Sequence, residues 1–167
     1  GAQTSTVTVS PNPTVAVANA SLCSGNTATL TASGATTYTW NPGGLSGSSV
    51  TVSPTSTQSY SITGSNAAGC TNTTSATVSV TATPTLSIPS VTICTGQTAT
   101  LSASGATSYT WNPGAGTGAT FTAAPAANTT YTVNGANGIC VTTSTVGVIV
   151  GAALSVSINS PTICAGQ

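Results

Sequence analysis

Five cysteines carry nearly all the reactivity this sequence can offer, and they fall in a fixed rhythm. Cys23, Cys70, Cys94, Cys140 and Cys164 are separated by 47, 24, 46 and 24 residues. Thiols so placed could bind a metal, act as nucleophiles or close disulfides. A structural zinc site gathers four Cys or His ligands at short spacing, and no His occurs in the 167 residues. A Ser or Thr nucleophile needs a base to activate it, and the chain has no Asp, Glu, Lys or Arg either. The cysteines are best read as structural disulfides. One pairing closes the long intervals, Cys23–Cys70 and Cys94–Cys140, with Cys164 pairing outside this segment. The other closes the short ones, Cys70–Cys94 and Cys140–Cys164, and leaves Cys23 for an upstream partner. The first is preferred, because a small domain has little core and closing a loop of nearly 50 residues contributes about 4 kcal/mol in the chain-entropy model. Either pairing implies an oxidising compartment outside the cytoplasm.

The missing charges exclude whole classes of function. A typical domain is about one-quarter Asp, Glu, Lys and Arg, which would be roughly 40 residues here. In their place stand 24 Ser and 37 Thr. Acid–base catalysis would fall to four tyrosines and the cysteines, so no enzyme is expected, and no catalytic or cofactor-binding residue is assigned. Calcium sites want carboxylates, nucleic-acid binding wants Lys and Arg, and an isopeptide staple wants Lys. No apolar run approaches the ~20 residues of a membrane-spanning helix, so no membrane insertion is expected. The opening "GAQTSTVTVS" lacks the positive charge of a secretory leader and reads as mature sequence or as a window of a longer one. Disordered chains pair low hydrophobicity with high net charge. This chain is 38% apolar and uncharged, and it is expected to fold.

Positioning the cysteines is the work of a repeat. "CSGNTATLTASGATTYTWNPG" at 23–43 returns as "CTGQTATLSASGATSYTWNPG" at 94–114, identical at 17 of 21 positions. Tyr38, Trp40 and Tyr60 recur as Tyr109, Trp111 and Tyr131, 71 residues on, and Cys70 recurs as Cys140 after 70. Self-similarity at such a period marks a tandem array. The expected divisions are 1–10, a final strand of a preceding repeat; 11–81 and 82–151, two full repeats; and 152–167, the start of a following one. Within each repeat the period is two. Ala28, Leu30 and Ala32 alternate with Thr, as do Tyr38 with Trp40 and Val50 with Val52. Alternation over short runs marks half-buried strands, and "NPGG" and "NPGAG" mark turns. About seven short strands in 71 residues predict an all-β fold of tandem Ig-like β-sandwiches.

A family resemblance rests on these same residues. The run C-[ST]-G-x-T-A-T-L-x-A-S-G-A-T-x-Y-T-W is followed by a Pro-bounded strand, then Y-[ST]-[IV], then a Gly-rich turn reaching the second Cys. It resembles Ig-like, PKD-related repeats of large Bacteroidota surface adhesins, including gliding and type IX-secreted proteins. The resemblance implies an extracellular, cell-surface protein.

Tyr38, Trp40, Tyr60, Tyr109, Trp111 and Tyr131 are expected in the cores. Trp40 and Trp111 could instead be sugar-stacking platforms, but a Trp on the third strand of a sandwich faces the inter-sheet space by default. Asn19, Asn72 and Asn128 begin N-x-[ST] triplets, which a Thr-rich chain also produces by chance. Two roles follow. The first is a structural segment of a surface filament or adhesin shaft, associating with neighbouring repeats or identical chains. The second is a module binding a glycan or another surface ligand. Near-identity of the repeats favours the shaft, since a binding tip should diverge from its scaffold.

Overall fold

A computed structural model describes residues 1, 3–152 and 157–158. The chain divides into two compact units. One is Gly1–Pro84 together with Ala136–Thr142; the other is Thr85–Gly135 together with the described residues from Thr143 onward. The hairpin tip around Cys140 groups with the first unit.

The first unit contains β1 (Ala16–Val17), β2 (Ala20–Cys23), β3 (Ala28–Ser33), β4 (Thr37–Asn41), β5 (Leu45–Ser46), β6 (Ser49–Val52), β7 (Gln58–Ser65) and β8 (Thr71–Thr81). One sheet has the order β1-β3-β6 and the other β2-β8-β7-β4-β5. All pairings in them are antiparallel except β2 with β8, which runs parallel and sets Cys23 opposite Thr81. The alternation buries one face of each sheet. Leu30, Ala32, Val50 and Val52 from the first meet Tyr38, Trp40, Tyr60, Ile62, Ala76 and Val78 from the second in one core. Thr29, Thr31, Thr37 and Thr39 point the other way and are exposed.

The second unit repeats the scheme with β9 (Val91–Cys94), β10 (Ala99–Ser102), β11 (Ser108–Asn112), β12 (Thr120–Ala123) and the parts of β13 (Thr129–Asn137) and β14 (Cys140–Gly151) outside the tip Ala136–Thr142. Its sheets are β10-β12 and β11-β13-β14-β9. The counterparts of β1 and β5 shrink to the isolated bridges Ser87↔Ser104 and Thr110↔Thr117. Leu101, Tyr109, Trp111, Tyr131, Val133 and Val148 lead its core.

Residues 3–15 carry no strand. Thr6–Val9 has the sequence of a closing strand, but its counterpart β8 is held between β7 and β2, and Thr6–Val9 has no such pair of neighbours among the described residues. The expected opening of a further repeat at 152–167, Cys164 included, lies largely outside the described residues.

Candidate functional site

The aromatic side chains sit inside the units and hold their own turns. Trp40 and Trp111 are 1% and 2% exposed. Each indole Nε1 donates a 2.9 Å hydrogen bond to a backbone oxygen seven residues on, that of Gly47 or Gly118. The Tyr38 hydroxyl accepts from the Ala35 amide at 2.7 Å and donates to the Ala35 carbonyl at 2.9 Å. Tyr109 holds Ala106 in the same way. A buried aromatic ring with its polar tip satisfied is a core residue. Tyr60 and Tyr131 are buried too.

The cysteines are arranged otherwise than the sequence suggested. Cys23 is bonded to Cys140, with S–S 2.03 Å, Cα–Cα 5.6 Å and 117 residues between them. Cys70 and Cys94 are free thiols. Neither Cys23–Cys70 nor Cys94–Cys140 forms, and the strand geometry says why. Cys23 lies opposite Thr81, the last residue of β8, whereas Cys70 immediately precedes its first, Thr71. Eleven residues of strand at about 3.3 Å each separate those levels by about 35 Å, and a disulfide spans a Cα distance of only about 4.4–6.8 Å. Cys94 and Cys140 are kept apart by β14 in the same way, since Cys94 lies opposite Gly151. The short-interval pairing fails as well, because Cys70 and Cys94 are both unbonded.

Within the first unit, the tip Ala136–Thr142 clasps the backbone that leaves β8. Asn137 Nδ2 donates to the Ala82 carbonyl at 3.2 Å, and Thr142 Oγ1 donates to the Pro84 carbonyl at 2.9 Å. Cys140 Sγ lies 3.7 Å from the Thr81 oxygen, and the Ser24 amide donates to that oxygen at 2.8 Å. Thr81 thus touches both sides of the bridge. Cys140 is fully buried.

The β7–β8 turn builds the same clasp 71 residues earlier. Asn66 Oδ1 accepts from the amides of Ala68 and Cys70 at 3.0 and 2.9 Å, which folds "SNAAGC" over itself. Its Nδ2 donates to the Pro11 carbonyl at 2.8 Å, Asn72 Nδ2 donates to that of Pro13 at 3.0 Å, and the Cys70 thiol donates to that of Ser10 at 3.5 Å. The triplet asparagines therefore have structural work. Besides Asn72, Asn19 accepts from the Thr77 amide and Asn128 from the Val150 amide, each at 2.8 Å. Sequence reasoning passed over Asn66, although an Asn four residues before a turn cysteine was its signal.

A groove of about 420 Å³ on the first unit is lined by Pro42, Leu45, Pro54, Thr55, Gln58 and Tyr60 among others. Among the described residues no helix is long and apolar enough to cross a membrane.

No protein-family model matches this chain, and no curated protein does. Solved structures do. The I-band fragment I67–I69 of titin is similar at TM-score 0.52 and 15% identity, over 86% of this chain and 67% of that one. Extracellular domains 3–5 of Drosophila OTK are similar at TM-score 0.57 and 10% identity, over 84% and 62%. Immunoglobulin domains 1–4 of Sidekick-1 are similar at TM-score 0.50 and 16% identity, over 83% and 48%. The fold is an all-β, Ig-like sandwich. The chain spans about half to two thirds of the length of these structures, and at such identities the likeness concerns the Ig-like fold alone.

Proposed function

We propose that the chain is a structural repeat segment of an extracellular filament or adhesin shaft on a cell surface, associating end to end and side to side with its own kind. The observation that carries this reading is the Cys23–Cys140 bond. It ties the first cysteine of one sequence repeat to the second cysteine of the next and closes a loop spanning 117 residues. Tension applied at the two ends of the chain would pass through that bond and spare the sandwich strands between. Such an arrangement suits a strut.

Composition supports the same reading. No charged side chain opposes lateral packing by long-range repulsion, and a disulfide fits an oxidising location outside the cytoplasm. The resemblance to Bacteroidota surface repeats is the ground for assigning the segment to a large secreted adhesin, with gliding or type IX export as its setting. The rival reading, a carbohydrate-binding module, wants an exposed aromatic platform, and both tryptophans and all four tyrosines are buried.

Electron microscopy of the native surface protein tests the proposal. Strands of this length, with their turns, imply an axial rise of about 35–45 Å per repeat, so thin unbranched fibres with that period are expected. Compact globules, or beads joined at random angles, would overturn it.

A further inference from the structure

We propose that the Cys23–Cys140 bond is one rung of a disulfide ladder, in which every repeat's first cysteine bonds the second cysteine of the repeat after it. Cys94 and Cys70 are then open half-rungs, each shaped for a cysteine of another repeat of this type. The inference rests on the strut reading for its purpose, but its geometry stands by itself.

Cys94 is framed as Cys23 is. Cys23 lies opposite Thr81 and Cys94 opposite Gly151, both in parallel register at the end of a long strand. The following amide donates to that opposite residue in each case, Ser24 to Thr81 at 2.8 Å and Thr95 to Gly151 at 3.0 Å. The next turn is closed by Asn26 N to Cys23 O and by Gln97 N to Cys94 O, both at 3.0 Å. Cys94 is exposed beside Gly151, where Cys23 has found a partner.

Cys70 is framed as Cys140 is. Its sulfur rests on the Ser10 carbonyl as that of Cys140 rests on Thr81, and its hairpin grips Pro11 and Pro13 as the later one grips Ala82 and Pro84. In the formed rung the residue under the sulfur is also the strand neighbour of the bonding cysteine. The partner of Cys70 is therefore a first-position cysteine on a strand beside Ser10. Neither thiol is a solitary feature, because the bond each would make already exists in this chain between its counterparts.

Closing a rung turns two thiols into one disulfide. A small-molecule disulfide oxidant accepts the two electrons and two protons by exchange and leaves as two thiols. "PTICAGQ" at 161–167 repeats the first-cysteine motif, so a repeat continued from it would present its second cysteine to Cys94. Its own Cys164 would await the repeat beyond.

The test extends the full chain past Gln167 with a copy of residues 98–151, folds it with oxidised and reduced glutathione, and maps its disulfides. Elastase serves for the digest, since trypsin has no site in a chain without Lys or Arg. The expected map joins Cys94 to the cysteine copied from Cys140 and keeps Cys23–Cys140. With Cys94→Ser, the copied cysteine should be a free thiol while Cys23–Cys140 persists. A bond from the copied cysteine to Cys164, or one that survives Cys94→Ser, overturns the ladder. The unextended chain gives a second reading that does not depend on the added repeat folding. Native maleimide labelling should mark Cys94 and spare Cys23 and Cys140, and labelling of those two would leave the ladder without a formed rung. Because the map reads connectivity alone, it can fail while fibres of the proposed period are still seen, and the reverse.

Discussion

Phe121 stands where the first repeat has Val50, and Gly116 stands where it has Leu45. The two changes compensate. Leu45 pairs across from Trp40 in the first unit and packs on its core. In the second, the Phe121 ring stacks on Trp111, with centroids 5.5 Å apart, and a Cβ on Gly116 would collide with it. Space removed at one position is filled from the other. Gly116→Leu alone should therefore overpack the site and cost about 1–3 kcal/mol, and Phe121→Val alone should leave a void costing about 2 kcal/mol. The double substitution rebuilds the first unit's arrangement. In urea melts it should cost less than the sum of the singles by about 1 kcal/mol or more. Strict additivity would mean that the two sites do not share the space.

At the scale of elements, the chain's alternation was legible, whereas the ends of its strands were not. Thr against Leu, Tyr, Trp and Val at period two gave the strands and the core faces, because side-chain direction in a strand is set locally. The cysteine pairing depends instead on β2 running parallel to β8, a non-local choice with no trace in periodicity. One hint was available. Cys70 and Cys140 close Gly-containing turns and Cys23 precedes another, so all three lie at strand ends. Elements also depend on single glycines where backbones cross closely. Gly34 and Gly105 have φ of +92° and +98°, and a Cβ on either would strike the carbonyl oxygen of Thr14 or Thr85. Gly105→Ala should thus cost at least about 1–2 kcal/mol from the left-handed backbone alone, with the collision added. Gly147→Ala in β14, where nothing lies within 4 Å, should be neutral or slightly stabilising. Thermal melts of the two variants check the contrast, and equal losses would contradict it.

For the whole molecule, the absence of charge and the placement of one covalent bond matter most. Polar surface is satisfied by short hydroxyl and amide contacts, such as the Thr63–Thr73 hydroxyl pair at 3.0 Å, and there are no ion pairs for salt to screen. The melting temperature should accordingly stay within about 1 °C from low ionic strength to 0.15 M sodium chloride; a shift of many degrees would reveal bound ions or charged modification. Mechanical behaviour bears most directly on the claim that this is a strut whose repeats are joined by Cys23–Cys140. Pulling a single chain by its two ends measures how much of it can be extended. With the bond intact, only the 50 residues outside its span (167 less 117) can lengthen. That limits the released chain to about 180 Å at ~3.5 Å per residue. Adding thiol reductant should release the remaining 117 residues, a further gain of about 400 Å in total. Full extension without reductant, or reductant-dependent steps of about 160 Å that match one closed loop per repeat, would contradict the account.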